Sequence, residues 1–594
     1  MRRAVAFIGG LAGLAIACPQ AIAGVAGFDR EPLEIFDQHL FDLGTADHDD
    51  DGDLDLYTLN HLERQSLLSN DGSGAFTERL YEAGLGQTRA IPGWEDPGGP
   101  TVSGPGLYIS AGGGGLTLRH VGRGRVEGSV EFLFDATAAS TDGARARVVR
   151  RGDRFQARFV MKGDSRVRLA PERLAHPFVV HLRAPFPLDR AFVGALEQNP
   201  GQRSFVLYKR DRHGIAWADV SADRRTDAFI VRGGLRGKIK DVIGEIQDEL
   251  LFQGPQGEFS PRGDPGLRKG RCRGRGAGAV DFNADGRLDL FATCKKDAPK
   301  LYSRSGDASF ADASAGLRQA GLRSEVLRFL DLGDGPVPEI LAVTQGGFEV
   351  YQRGQGGWRL GQRLNGRHGP QEGSALTTGD PDRDGDPDVY VASSTGSTFL
   401  RNRDGRLDAV DPGALGLPRS GIAASWTDFD NDGRLDLHVV PAGLFRARPS
   451  GGYTRMGTFG TVEDPAEARL AWPDLDNDGD RDVVLAARPG SSPRNFRTYT
   501  FENGGQAGNW LEVSPVGKRG NPQAIGARVA VRTGERVQTA WVGQSETSVF
   551  SQGHYRLYFG LGSTTSAQVR VRWPGGRRES VGTVAAGQIL KFRE

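Results

Sequence analysis

The chain predicts an all-β protein: a seven-bladed β-propeller with cation-binding loops, an inserted β-sandwich-like domain and a small C-terminal β-domain. Three observations predict it. First, an aspartate-rich loop recurs, starting at Asp47, Asp219, Asp281, Asp331, Asp380, Asp428 and Asp474. From the second copy onward the starts lie 62, 50, 49, 48 and 46 residues apart, the period of propeller blades or solenoid units, which bury their apolar faces only against neighbours. Second, the runs that follow the loops alternate with a period of two, as in Leu54-Asp55-Leu56-Tyr57, Leu288-Asp289-Leu290-Phe291 and Val389-Tyr390-Val391. That period selects strands, and so a propeller. Third, glycine makes up 86 of 594 residues, about twice its usual share, without a collagen-like three-residue period.

A chain of this length is too long for one core, so two to four domains are expected. Arg2-Arg3, the apolar run Ala4 to Ala17, and Ala21-Ile22-Ala23 before Gly24 have the order of an export signal, residues 1–23. A lipoprotein at Cys18, preceded by Leu14-Ala15-Ile16-Ala17, is the alternative. No later stretch approaches the roughly 20 apolar residues of a membrane helix, so a secreted, periplasmic or cell-surface protein without a membrane span is expected. Residues 28–95 read as the first blade. In it Leu67-Leu68-Ser69-Asn70-Asp71-Gly72-Ser73-Gly74-Ala75-Phe76 has the turn residues of an outer hairpin, repeated loosely at Leu301 to Phe310 and Phe399 to Leu407.

The interval between the first two loops is 172 residues, far beyond one blade, and too long for an unstructured loop. Strand-like runs at Leu116 to Val121, Val126 to Phe134, Ala144 to Val149, Phe155 to Met161 and Phe178 to Leu182 mark an inserted β-sandwich over 96–204. Residues 101–200 hold 15 Lys/Arg against 9 Asp/Glu. Residues 205–508 read as blades two to seven. Within them Ile239, Val242, Ile243, Ile246 and Leu250 have helical spacing, which predicts a helix over Leu235 to Leu251. From Asn509 the loops stop. Strand-like runs at Trp510 to Val513, Ala527 to Arg532, Arg536 to Val542 and Val569 to Trp573 predict a β-domain over 509–594, with 12 Lys/Arg against 5 Asp/Glu.

The loops carry the chemistry. In Asp428-Phe429-Asp430-Asn431-Asp432-Gly433-Arg434-Leu435-Asp436, carboxylates stand at positions 1, 3, 5 and 9, with glycine at 6. Calcium takes six to eight oxygens, and a tight curl with glycine at its bend brings such carboxylates together. The expected ligands are Asp47, Asp49, Asp51 and Asp55; Asp281, Asn283, Asp285 and Asp289; Asp380, Asp382, Asp384 and Asp388; Asp428, Asp430, Asp432 and Asp436; and Asp474, Asp476, Asp478 and Asp482. About five calcium ions would follow, raising the formal charge from +1 to about +11. Solvated acidic turns are the alternative. An EF-hand needs a glutamate at position 12 and flanking helices; here position 12 is Thr58, Ala292, Val391, Val439 or Leu485, inside apolar runs. Two copies are damaged. The Asp219 loop has Ser221 and Arg224 in place of a ligand and the glycine, and the Asp331 loop has Gly333 and Gly335 at ligand positions. Both are expected to keep the fold and bind calcium weakly or not at all.

These Asp-x-Asp-x-Asp-Gly-x-x-Asp loops with their following strands resemble the FG-GAP (integrin α-type) propeller repeats. The tail resembles the ASPIC/UnbV domain of the cartilage acidic protein family, through Asn509-Trp510-Leu511, Ala524-Ile525-Gly526-Ala527-Arg528-Val529, Gln552, Phe559-Gly560-Leu561-Gly562 and Trp573-Pro574-Gly575-Gly576. Arg210-Asp211-Arg212-His213-Gly214-Ile215-Ala216-Trp217 is similar to that family too. The resemblance implies a calcium-stabilised extracellular binding or adhesion-type protein that is not an enzyme, by analogy of fold. A polysaccharide-active enzyme or an accessory or assembly factor is the alternative.

Weaker signals have plainer readings. Cys272 and Cys294 flank the Asp281 loop symmetrically and are either a disulfide or two buried thiols. Arg151-Gly152-Asp153 and Arg262-Gly263-Asp264 spell an adhesion tripeptide that chance produces readily in this composition. His213 beside Asp211 is an acid/base pair or a structural salt link. Trp217, Trp426 and Trp472 each precede a loop by two residues and read as core. The basic insert and tail would suit an anionic glycan or lipid surface; no motif for nucleic acid is present. The expected partner is an extracellular protein or glycan.

Overall fold

The computed structural model describes residues 25–594 apart from 86–100, 172–177, 184–203, 208–210, 234–247, 268–271, 367–373 and shorter stretches of one to three residues. The expected export signal and Cys18 lie outside the described residues. Outside the insert and the tail, seven four-stranded antiparallel sheets are described. The first strands of these sheets are Leu40–Ala46, Arg212–Ala218, Gly274–Val280, Leu327–Leu330, Ser374–Gly379, Ala423–Thr427 and Pro465–Ala471. Six sheets are consecutive meanders. The last takes its fourth strand from the other end of the chain: Phe28–Pro32 pairs with Arg497–Asn503, from Phe28 opposite Asn503 to Pro32 opposite Tyr499. Residues 28–32 thus complete the last sheet, not the first, and join the two ends of the propeller.

Each aspartate loop is the turn between the first and second strands of a sheet. In six sheets the second strand begins at loop position 9, at Asp55, Asp227, Asp289, Glu339, Asp388 and Asp436. Apolar residues of these strands pack between neighbouring sheets, as Leu290 and Ala292 do against Ala216, Phe229 and Val231. Trp217, Trp426 and Trp472 are buried, with Trp217 edge-on to Phe259 at 5.6 Å and Trp426 edge-on to Phe399 at 6.3 Å. At about 150–250 Å² per aromatic side chain and about 25 cal/mol per Å², each contributes roughly 4–6 kcal/mol of transfer free energy.

The insert forms two five-stranded sheets, Thr101–Gly104, Leu107–Gly112, Gly115–His120, Ala136–Ser140 and Ser165–Pro171 in one, and Arg125–Phe132, Ala144–Arg151, Arg154–Lys162, Phe178–Leu182 and Ser204–Leu207 in the other. They share a core of Leu107, Ile109, Leu118, Val130, Phe159 and Met161. The tail has a four-stranded sheet and a three-stranded one in which Asn509–Val516 pairs in parallel with Gln588–Arg593. The helix expected over Leu235 to Leu251 is corrected at its described end. Glu249–Gln253 is a strand, and Glu249 is held there by Arg212 and Arg232, at 2.8 and 2.9 Å. A buried two-arginine contact on a carboxylate overrides local helical spacing. Cys272 and Cys294 form a disulfide, with Cα atoms 5.1 Å apart.

Candidate metal centres

The loops share one backbone device. Position 4 has positive φ in all five complete copies: Asp50 (61°), Ala284 (59°), Arg383 (62°), Asn431 (53°) and Asn477 (58°). Position 6 follows with Gly52 (105°), Gly286 (77°), Gly385 (93°), Gly433 (81°) and Gly479 (91°). Two left-handed residues two apart curl the chain so that its amides point inward. The position-1 carboxylate receives them. Asp428 accepts from the amides of Asp432 at 3.0 Å and Gly433 at 2.8 Å; Asp281 accepts from Asp285 at 3.1 Å and Gly286 at 2.8 Å; Asp474 accepts from Gly479 at 2.9 Å.

Position 9 ties the loop to the third strand of its sheet. One oxygen of Asp55, Asp289, Asp388, Asp436 and Asp482 accepts the amide of Asn70 (2.9 Å), Arg304 (2.7 Å), Asn402 (2.7 Å), Ala447 (2.6 Å) and Asn503 (2.8 Å). Single carboxylate oxygens of Asp47, Asp49 and Asp51, of Asp380, Asp382 and Asp384, and of Asp428, Asp430 and Asp436 converge to within 4.8 Å of one another. The outer carboxylates also meet arginines: Arg287 lies 3.0 Å from Asp285, Arg401 3.3 Å from Asp382, and Arg446 pairs with Asp430.

What remains after these bonds is informative. Every complete loop has a buried carboxylate oxygen with no hydrogen-bond partner: Asp47 Oδ1, Asp289 Oδ2, Asp380 Oδ1 and Asp388 Oδ2, Asp430 Oδ1 and Asp436 Oδ2, and Asp474 Oδ1. Such atoms cost free energy unless a cation or donor meets them. Burial, then neighbouring carboxylates, pushes the acids up: Asp47, Asp289 and Asp380 to about 7, Asp388 and Asp482 to about 8, and Asp428 and Asp436 well above the usual range. At Asp474, burial and then the adjacent Glu512 raise it to about 9. The first loop is a variant: His48 donates its amide (2.8 Å) and turns Nδ1 (2.6 Å) to Asp55 Oδ2, so both oxygens of Asp55 are engaged and Asp47 holds the free one.

The two damaged copies differ from each other. The Asp219 loop keeps the curl, with Ala222 at φ 62° and Arg224 at 71°. Its oxygens are consumed by the amides of Ala222 (2.6 Å), Asp223 (3.2 Å) and Arg224 (2.7 Å), and those of Asp227 by the amides of Val220, Ser221 and Gln253. Burial raises Asp227 to about 7 as well, so proton affinity does not separate the two kinds of loop, whereas the unpartnered oxygens do. At Asp331 the tail supplies a cation of its own, Arg572 Nη1 at 3.5 Å.

All seven loops face the tail. The amides of Asp219 and Asp331 donate to Gln523 Oε1 (3.1 Å) and Gln544 Oε1 (3.0 Å). Leu288 donates to Gly520 O (3.0 Å), Gly562 donates to Asn431 O (2.8 Å), and Arg556 reaches Gly52 O, Asn477 Oδ1 (2.8 Å) and Glu512 (2.9 Å). A tail segment continues between the first strands of the sheets. Asp42 accepts from Ser548 (2.7 Å), Ser551 (2.6 Å) and the Phe550 amide (3.2 Å), and Gln552 bridges Ala216 in parallel. Of these tail residues Gly562 and Gln552 belong to the motifs the sequence offers; Arg556 and Arg572 do not, since Gly52 and Asp331, which they reach, lie hundreds of residues away. Asp264 of the second adhesion tripeptide is buried and accepts from the amides of Gly266 and Phe310. Among the described residues no helix is long and apolar enough to cross a membrane.

The ASPIC and UnbV family matches residues 517–594 and the FG-GAP-like repeat matches residues 380–439. No curated protein matches the chain, and nothing found speaks for the narrower cartilage acidic protein family. Solved structures with some likeness include an Agrocybe aegerita lectin described as recognising non-reducing terminal N-acetylglucosamine, at 14% identity and TM-score 0.34 over 64% of this chain and 90% of that one. A second is a Dos1 propeller, at 9% identity and TM-score 0.32 over 69% of this chain and 94% of that one. A third is the extracellular domain of a putative hybrid two-component system of B. thetaiotaomicron, at 8% identity and TM-score 0.27 over 93% of this chain and 85% of that one. The chain is a β-propeller protein that carries an FG-GAP-like repeat and a C-terminal ASPIC and UnbV domain.

Proposed function

We propose that the protein is an exported, non-catalytic binding module of the extracellular or periplasmic space, in which about five calcium ions fix the aspartate loops and, through them, the tail. The observation that carries this reading is the set of unpartnered buried carboxylate oxygens, present in each complete loop and absent among the described residues of the Asp219 and Asp331 loops. An all-oxygen donor set of closely spaced carboxylates is the kind that a hard divalent cation takes. The residues that would hold it are the position 1, 3, 5 and 9 groups, with Asn283 replacing one carboxylate at the Asp281 loop. Export rests on the signal-like first 23 residues and agrees with the Cys272–Cys294 disulfide, a bond that persists in oxidising compartments. The basic insert and tail are the surfaces offered to an anionic glycan or protein ligand.

The test is thermal. At free calcium 100 times its dissociation constant, each occupied site adds about 2.7 kcal/mol to stability, so excess EGTA lowers the melting temperature and calcium restores it. An identical melting curve with EGTA and with calcium would sink the structural-calcium claim. A glycan array and a glycan-degradation screen, each with and without calcium, separate the binding module from a polysaccharide-active enzyme: retained glycan without turnover supports the former, turnover the latter.

A further inference from the structure

At the end of the propeller away from the aspartate loops, where strands Leu40–Ala46 and Arg212–Ala218 begin, three side-chain atoms meet. His61 Nδ1 lies 2.9 Å from Asp211 Oδ1 and 2.9 Å from His213 Nε2, and His213 Nε2 lies 3.0 Å from Asp211 Oδ1. Protons do not account well for this triangle. The other nitrogen of His213, Nδ1, is 2.8 Å from Gly274 O, a carbonyl that can only accept, so Nδ1 carries the hydrogen. Arg275 Nη1, 3.0 Å from the same nitrogen, has Gly274 O as its own acceptor at 3.2 Å. In the neutral imidazole, a hydrogen on Nδ1 leaves Nε2 without one. Nε2 then presents a lone pair directly to a carboxylate oxygen. Two acceptors in contact need a cation between them.

The triangle has the dimensions of a metal face. An ion about 2.1 Å from each atom would see its three ligands at angles of about 90°, the facial set of an octahedron. The surroundings hold the ligands in place. His213 is the extra residue of a β-bulge between Arg212 and Gly214, a device that re-aims a side chain. Phe41 stacks on its ring at 3.8 Å with planes 6° apart. The Nδ1–H bond to a backbone carbonyl is the outer contact that fixes a ligating histidine. A Cβ at Gly233 would collide with His213 Nε2 and Asp211 Oδ2. The Arg275 charge behind the ring is met by Glu325 at 3.3 Å. Access is through His61, whose side chain is 32% exposed.

We propose that His61, Asp211 and His213 bind one divalent first-row transition ion, zinc being the convenient probe, at a site distinct in place and chemistry from the calcium loops. Two imidazoles favour a borderline ion, which a hard calcium ion does not match.

The experiment uses the full mature chain, stripped with chelator and returned to millimolar calcium so that the loops are saturated. It is then titrated with zinc by calorimetry and with cobalt by visible absorption. Wild type is expected to bind one equivalent of zinc, and cobalt is expected to give ligand-field bands. His61→Ala, at the exposed corner, and the isosteric Asp211→Asn each weaken zinc by about 10-fold or more, while the calcium-dependent melting shift of His61→Ala stays as in wild type. Circular dichroism verifies folding, and Asp211→Asn decides the matter if His61→Ala does not fold. No saturable zinc binding by wild type in calcium, or unchanged binding in the folded variants, overturns the proposal.

Discussion

The Asp380 and Asp219 loops share the same turn between the same two strands, yet they differ in what their carboxylates lack. In the Asp219 loop the oxygens of Asp219 and Asp227 are met by backbone amides, and position 6 is Arg224, still left-handed. In the Asp380 loop both Asp380 and Asp388 retain a buried oxygen that nothing meets. The Asp331 loop goes further: two ligand positions are glycines, and Arg572 from the tail approaches Asp331. The comparison teaches that the curl does not depend on free carboxylate oxygens, since the Asp219 loop keeps the curl without them. Where the loop departs from the full pattern, backbone donors or an arginine meet its carboxylates.

The largest effect expected is on the pH dependence of the metal-free protein. A carboxylate gives up its proton near 4 when unfolded, whereas Asp47, Asp388 and Asp474 hold theirs to about 7, 8 and 9 when folded. Between these values the folded state binds more protons, so stability is fully present below about 4 and is lost as pH rises through about 7–9. In EGTA the melting temperature should therefore fall across this window, and in millimolar calcium the curve should flatten, because the cation takes the place of the protons. Parallel curves would mean that calcium does not sit among these groups.

A substitution that reverses sign sharpens the contrast. Asp428→Asn removes a buried charge that burial and Asp432 penalise. In calcium it should lower stability by about 2–3 kcal/mol, roughly one site's linkage; in EGTA at pH 8 it should be neutral or stabilising. Destabilisation of equal size in both media would make Asp428 a plain hydrogen-bonding residue. At the Asp331 loop, Arg572→Ala should cost about 0.5–1 kcal/mol, the range of a partly exposed pair, equally with and without calcium. A calcium-dependent effect there would show a working metal site. The smallest effect belongs to Asp223→Ala, an exposed residue paired with half-exposed Arg225: a change within about 0.5 kcal/mol, and no loss of calcium by equilibrium dialysis.

The loop residues were legible because their geometry is local: nine consecutive positions and one glycine define the curl, and repetition defines the blades. The destination of Phe28–Pro32 was not, since it depends on an edge strand some 470 residues away. Nor was the helical spacing before Leu251 a safe guide, because Glu249 answers to two distant arginines rather than to its neighbours. His213 beside Asp211 could be seen in the sequence as a pair, but His61 lies 152 residues from His213, and only the sheet packing supplies it. The tail's place over the loops was equally hidden, carried by single contacts such as Gln523 to Asp219 and Gln544 to Asp331.

Five loops are proposed to hold calcium and two to hold none. The most direct measurement is the calcium content of the purified mature protein after dialysis against millimolar calcium and removal of free ion, by elemental analysis against protein concentration. The expected value is about five ions per chain, falling by about one in Asp428→Asn and unchanged in Asp223→Ala. A value near zero, or about seven with loss in Asp223→Ala, would contradict the account.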